Sequence, residues 1–353
     1  MWPTFRAQRL TQQFLLIGAK PKLRFTFVPS IENEPIQYFP EGFIEIFSPL
    51  VGSDLEYVPI SEGLADIDVV IVSCHGSDFS PQIWRLRQNW PRNTLLAVWF
   101  WDNHLAHLNN FKTALTADIV FPSHKYSSGY LANPGSALGW HIPSCSAQWT
   151  IGEASDVFQA NVRNTRSNRL LVNYVDYHFS WRHELLWKLK EQLVDAEVLL
   201  MDPDDRSRYF TKSRKERMNE WLGHKATIII PVQNDLSTRV FDALLAGLVL
   251  LVPEGISDFD EVIPLEQQQE LGIVRLHDLE IPTIQAAAIR AIEIFDAAGE
   301  TGMCARHDFV INNHMLHNRV AKIIRCIRHV AVKQSAVVFG DNEQGHVGLH
   351  FAN

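Results

Sequence analysis

A chain of 353 residues is too long for one ordinary domain and suits two of roughly 150–180 residues each. Hydrophobic residues at 46% and charged residues at 20% match a globular chain with a sizeable core. The formal charge of −8 excludes a general nucleic-acid binder, which is usually basic.

No apolar run reaches the roughly 18 residues of a membrane span. The apolar stretch Phe14–Gly18 is too short for a signal-peptide core. Cys74, Cys145, Cys304 and Cys326 are widely scattered and form no Cys-x-x-Cys pair, so reduced thiols in a cytoplasmic protein are expected.

In chain order, buried-strand candidates are Leu23–Val28, Leu55–Pro59, Ile67–Ser73, Thr94–Trp101, Ile119–Pro122 and a short Leu138–His141. Pro81–Asn89 and Leu105–Ala114 are helix-compatible. Residues 142–168 then lose apolar periodicity and gain Ser, Asn, Gln and Arg, which reads as a linker. A second series follows, with strands at Leu170–Val175, Glu197–Met201, Thr227–Ile230, Leu248–Val252 and Ile273–Leu276. Its intervening helices are Trp181–Leu193, Arg214–Leu222, Ser237–Ala246 and Thr283–Ala298. Alternation of this kind implies an α/β chain with parallel, doubly wound sheets. Phe309–Val332 carries apolar residues at helical spacing and predicts one long amphipathic C-terminal helix. After Gln334 the chain is polar and Gly-rich, as in a loosely held tail.

The stretch from Ala226 to Pro253 is the most informative for function. A β-branched run, Thr227–Ile230, is followed by a polar turn and a helix with apolar residues at Val240, Phe241, Leu244 and Leu245. Gly247 ends that helix. The turn therefore lies at the carboxyl end of a strand and the N-terminus of a helix, where free N–H groups and the helix dipole favour an anion. Ser237 and Thr238 add hydroxyls there, and Arg239 adds a fixed charge. An ordinary capped β-α-β crossover would show the same pattern.

The run Ser-Thr-Arg-Val-Phe-Asp-Ala-Leu-Leu-Ala-Gly, residues 237–247, resembles the donor-site helix of GT-B glycosyltransferases. It is similar in particular to the group 1 branch that includes spore-maturation-type proteins, which carry Ser-x-Arg-x-Phe-Glu-Ala-x-Ala-x-Gly. The resemblance extends in the spacing of elements over roughly residues 65–330. It implies two Rossmann-like domains facing a cleft, a nucleotide-sugar donor, and transfer to a hydroxyl of a glycan or lipid-linked glycan, with retention at the anomeric carbon. Asp242 stands where the family has the carboxylate that holds the donor ribose. The family's second Glu, eight residues earlier, is Asn234 here, with Asp235 beside it. The resemblance also implies that the C-terminal helix braces the first domain, and His314, His317 and Arg319 are similar to a segment near the end of that family. No metal or other cofactor is expected.

The expected organisation is an acceptor domain at 1–150, a linker at 151–168, a donor domain at 169–305, the bracing helix at 306–333 and the tail at 334–353. Asp102 and His104 follow the aromatic strand Leu95–Trp101, the position from which α/β proteins present reactive groups. Asp102 reads as a base toward an acceptor hydroxyl or as a helix cap, and His104 as an acceptor-orienting group. A metal site at Asp102, His104 and His107 fits no established zinc spacing. The resemblance implies that the loop Asn173–Arg182 approaches the donor diphosphate, which makes Arg182 a second phosphate candidate and Tyr177 or His178 a contact to nucleotide or sugar, the alternative being an arginine exposed on the first turn of a helix. Lys212, Arg214, Lys215 and Arg217 form a basic cluster that reads as a solvated face or as a peripheral contact with a phosphate or membrane headgroup. Among the ten tryptophans, one or two of those in the first half are candidates to stack on a sugar. Two other functions fit the same plan, a non-catalytic bilobal binding protein and a nucleotide-sugar epimerase.

Overall fold

Alternating β-branched runs and amphipathic segments bury their apolar faces here as two all-parallel sheets, each wrapped by its own helices. The computed structural model describes residues 2–29, 42–60, 66–76, 78–89, 91, 93–101, 106–132, 136–178, 180–202 and 212–333. One unit contains the described residues up to Ser144 together with those from Leu316 onward, and the other contains Cys145–Met315. Among the described residues no helix is long and apolar enough to cross a membrane.

The first unit runs α1 (Trp2–Gly18), β1 (Leu23–Pro29), α2 (Phe43–Ile46), β2 (Leu55–Tyr57), β3 (Val69–Cys74), α3 (Ser80–Asn89), β4 (Leu95–Phe100), α4 (His107–Ala114), β5 (Ile119–Pro122), α5 (Ser128–Leu131) and β6 (Ala137–Leu138). Its six strands lie in the order β2-β1-β3-β4-β5-β6. Both faces of β3 and β4 are buried, which is why Val69–Cys74 and Leu95–Phe100 are apolar throughout rather than alternating.

The second unit runs α6 (Ile151–Asn161), β7 (Leu170–Val175), α7 (Ser180–Gln192), β8 (Ala196–Met201), α8 (Arg214–Leu222), β9 (Ala226–Ile228), α9 (Thr238–Leu245), β10 (Val249–Pro253), α10 (Phe259–Val262), α11 (Leu265–Glu270), β11 (Val274–Leu276) and α12 (Ile281–Asn313). Strand order is β11-β10-β9-β7-β8, so the direction of winding reverses between β7 and β9. Helix α13 (Leu316–Lys333) returns to the first unit, where it packs on α1.

Three features depart from the sequence expectations. Residues 151–161, expected as linker, form α6, nucleated by a capping box between Thr150 and Glu153 and seated on the core through Ala154 and Phe158. The boundary falls after Ser144 rather than after residue 150. The stretch expected as one helix over Phe309–Val332 breaks at His314, whose φ of −132° and ψ of 22° leave the helical region between α12 and α13, and α12 is itself kinked at Gly299 (φ 54°, ψ −146°). The freed His314 carbonyl accepts from the Ser146 N–H at 2.9 Å.

Helix α9 is clamped at its carboxyl end. Leu245, Ala246 and Gly247 offer carbonyls there, and His307, Arg166 and Arg306 donate to them at 2.6, 2.8 and 2.9 Å. Cationic side chains at a helix C-terminus oppose its partial negative charge. Burial lowers both guanidinium groups to about 10. Gly247, at φ +79°, is left-handed, and a Cβ there would meet the Met303 carbonyl oxygen at 3.3 Å. This clamp fixes where the opposite end of α9 points.

Candidate functional site

Strands β7 and β9 part where the winding reverses. A single residue pair, Leu171 with Thr227, joins them in register. Beyond it the buried Tyr174 hydroxyl bridges the two chains, donating to the Ile228 carbonyl at 2.7 Å and accepting from the Ile230 N–H at 2.8 Å. A fork at the carboxyl ends of parallel strands is where open α/β sheets take ligands.

Two arginines meet over Tyr174. The Arg239 guanidinium lies 4.1 Å from the ring centroid and that of Arg182 lies 4.8 Å from it. Arg239 also lies over Trp221 at 5.1 Å and donates to Asn173 Oδ1 at 2.6 Å. Arg182, 4% exposed, donates to the Val175 carbonyl at 2.9 Å and to that of Ile230 at 3.3 Å. It is thus a buried group held by strand-end carbonyls, not the exposed helix-surface arginine of an ordinary crossover. Among the described residues neither guanidinium forms an ion pair with a carboxylate. Burial, then the neighbouring Arg239 charge, lowers the Arg182 pKa, against the opposing effect of Tyr174, Tyr177 and the Asp176 carboxylate. Like charges held this close, with N–H donors left over, are an arrangement that an anion would suit.

The N-terminus of α9 completes that site. Ser237 is the N-cap residue, extended at φ −84° and ψ 157°, and its hydroxyl makes no cap hydrogen bond. It is therefore available to a ligand, as are the first-turn N–H groups beside Thr238. Asn234 is exposed in the preceding turn at φ 65°, a conformation Asn tolerates, and its carbonyl accepts from the Ser257 N–H. Asp235 is buried. Tyr177 is 42% exposed, with its ring 5.8 Å from the Arg182 guanidinium.

Asp242, expected at the donor ribose, is buried and held by two side chains. Its carboxylate is 3% exposed, and both oxygens are taken: Ser146 Oγ donates to Oδ1 at 2.7 Å and Gln148 Nε2 to Oδ2 at 2.9 Å. Burial raises its pKa to about 6, against the pull of those two bonds and of the Arg239 and Arg217 charges. The group anchors Ser146 and Gln148 onto α9. Phe241, next along the helix, stacks on His314 with centroids 4.7 Å apart.

Two members of the basic cluster form ion pairs. Lys212 pairs with Glu220, Arg214 with Glu153 at 2.6 Å, and buried Arg217 donates to the Lys212 carbonyl. Of the tryptophans, Trp99 and Trp149 are core, donating to the Ile142 and Arg214 carbonyls, whereas Trp84 is exposed. Arg319 is buried and donates to the carbonyls of Pro143 and Ser144, a bracing role inside the first unit. Burial holds the His317 pKa down at about 4.

Asp102 and His104 lie outside the described residues, as does the tail from residue 334. Around the same strand ends the first unit carries groups not singled out from the sequence. His75, past β3, lies 3.1 Å from Ser73 Oγ and packs against Trp101 at 4.8 Å, and burial lowers its pKa to about 4. Ser123 and His124 follow β5 and interact at 3.2 Å. The missed signal was the one that marked Asp102: a polar residue directly after a buried run.

No family model matches the chain, and no curated protein matches it. Among solved structures it is similar to a mutant O-GlcNAc transferase of Thermobaculum terrenum, with 12% identity, 90% of this chain and 69% of that one covered, and a TM-score of 0.46. It is also similar to a sucrose-phosphate synthase of Thermosynechococcus elongatus, with 12% identity, 91% and 92% covered, and a TM-score of 0.47. A wall teichoic acid polymerase shares 12% identity over 94% of this chain and 97% of its own, with a TM-score of 0.37.

Proposed function

We propose that the chain is a GT-B-type glycosyltransferase that moves a sugar from a nucleotide-sugar donor to a hydroxyl of a glycan. The observation that carries this reading is the pair of guanidinium groups, Arg182 and Arg239, over Tyr174 at the β7–β9 fork, neither of them in an ion pair among the described residues. A donor diphosphate is a ligand whose charge suits two arginines held together beside a helix N-terminus.

In the reaction the bond between the anomeric carbon and the diphosphate oxygen breaks, and negative charge grows on the departing nucleoside diphosphate. Arg239, Arg182, Ser237 Oγ and the first N–H groups of α9 would stabilise that charge without reorganising, since Tyr174, Asn173 and the clamp on α9 already hold them. Asp242 serves at one remove, fixing α9 against residues 146–148. Asn234 and Tyr177, both exposed beside the fork, are the candidates to touch nucleoside or sugar. Asp102, as base or orienting group, and His104 remain the acceptor-side proposal. Retention at the anomeric carbon is carried over from the motif resemblance alone.

Calorimetric titration with nucleoside diphosphates tests the site. One of them should bind, and Arg239→Gln should weaken it by about one to two decades, since a charge-assisted bond is worth roughly 1.5–3 kcal/mol. Equal affinity in a folded Arg239→Gln variant would remove the fork from the donor site.

A further inference from the structure

We propose that Asp176, His178 and His183 form a zinc-binding site at the carboxyl end of β7. One ligand atom from each of the three side chains lies within 4.8 Å of the other two. Asp176 is buried, His183 is half-buried and His178 is exposed, so the cluster opens to solvent on one side. Two imidazoles and one carboxylate form a donor set suited to zinc, whereas magnesium and calcium prefer oxygen ligands throughout. Three protein ligands leave the fourth tetrahedral position to a water.

The ligands are already oriented. His183 Nδ1 lies 2.8 Å from Asp176 Oδ2, and the indole N–H of Trp187 donates to the same oxygen at 3.1 Å. Trp187 stands one helical turn beyond His183 on α7, so one helix face supplies both a ligand and the group that steers the carboxylate. His178 sits at φ 55°, a left-handed backbone uncommon for a residue with a Cβ. This turns its ring to within 5.6 Å of that of His183, centroid to centroid.

Zinc–ligand bonds of about 2.0–2.1 Å at a tetrahedral angle set ligand atoms about 3.3 Å apart. The Asp176–His183 contact must therefore open by about half an ångström and lose its shared proton, while exposed His178 closes by side-chain rotation. Neither movement disturbs β7. The ion answers a different chemistry from the two arginines, and the inference stands whether or not the chain transfers sugars.

The test uses the full, untagged chain stripped with chelator and titrated with zinc chloride by calorimetry. Cobalt(II) serves as a parallel optical probe of tetrahedral coordination. One zinc per chain should bind, with a rise in melting temperature, and magnesium should produce neither effect. His178→Ala and His183→Ala should each lose that binding event while melting near wild type without metal. Trp187→Phe keeps all three ligands and should weaken zinc by about 10–100-fold, the usual effect of removing a group that orients a ligand. Absence of a stoichiometric binding event in the wild type would overturn the proposal. So would undiminished binding in both histidine variants, which would put the zinc elsewhere on the chain.

Discussion

Asp242→Asn separates an anchoring carboxylate from a ligand-binding one. The side chain is buried between Ser146 and Gln148, and its pKa stands at about 6 against an ordinary value of 3.8. The folded chain therefore holds that proton more tightly than the unfolded chain does. Protonation stabilises the fold; the contribution is complete below the unfolded value and is lost as pH rises through about 6. A shift of about two units corresponds to about 3 kcal/mol in all, of which roughly 1–2 kcal/mol disappears between pH 5 and pH 8.

Asparagine does not titrate, so the variant lacks this component. Urea unfolding of both proteins at pH 5, 6.5 and 8 should show the wild type losing roughly 1–2 kcal/mol relative to Asp242→Asn across the series. His75 and His317, kept neutral by burial with pKa values of about 4, work in the opposite direction, losing stability as pH falls below their unfolded values. Both are present in both proteins and cancel in the difference. Nucleoside diphosphate affinity should fall less in Asp242→Asn than in Arg239→Gln. A pH-independent stability difference, together with a large loss of nucleotide affinity, would refute the anchor and return Asp242 to the ribose.

Gly247→Ala should cost about 2 kcal/mol, because the left-handed backbone resists a side chain and the added methyl crowds Phe158 and Met303. Calorimetric melting should record a drop of roughly 4–8 °C in a domain this size, and an unchanged melting temperature would show that the clamp on α9 yields freely. Asp102→Asn should cut turnover by about 10²–10⁴-fold at saturating donor if the carboxylate acts on the acceptor hydroxyl, with nucleotide affinity retained. Near-wild-type turnover would make His104 the next acceptor-side candidate.

The strands were legible because parallel strands buried on both faces must be apolar throughout, as Val69–Cys74, Leu95–Phe100 and Val249–Pro253 are. The α6 helix was hidden by polar composition, although Thr150 and Glu153 carried its start signal. The break at His314 was invisible because apolar spacing runs on through Val310, Met315 and Leu316, and only the Ser146 N–H shows where the helix ends. Arg239 stood out from strand–turn–helix spacing, and Arg182 from the family resemblance of its loop. Tyr174, which gathers them, looks in the sequence like any strand aromatic. Asp242 shows the limit most clearly: local pattern marked a carboxylate at a special place, but Ser146 and Gln148, nearly a hundred residues away, decide what it does. The Asp176–His183–Trp187 contacts likewise needed the loop after β7 to turn back on α7.

The central claim is that the chain breaks the bond between a sugar and a nucleoside diphosphate. Incubating the purified protein with a panel of nucleotide sugars, and following free nucleoside diphosphate together with the sugar released or transferred, tests it directly. The account predicts slow release of one nucleoside diphosphate without acceptor, acceleration by a glycan acceptor, and loss of both in Arg239→Gln. Binding of a nucleotide sugar without bond cleavage, or conversion to an epimer with the diphosphate still attached, would contradict it.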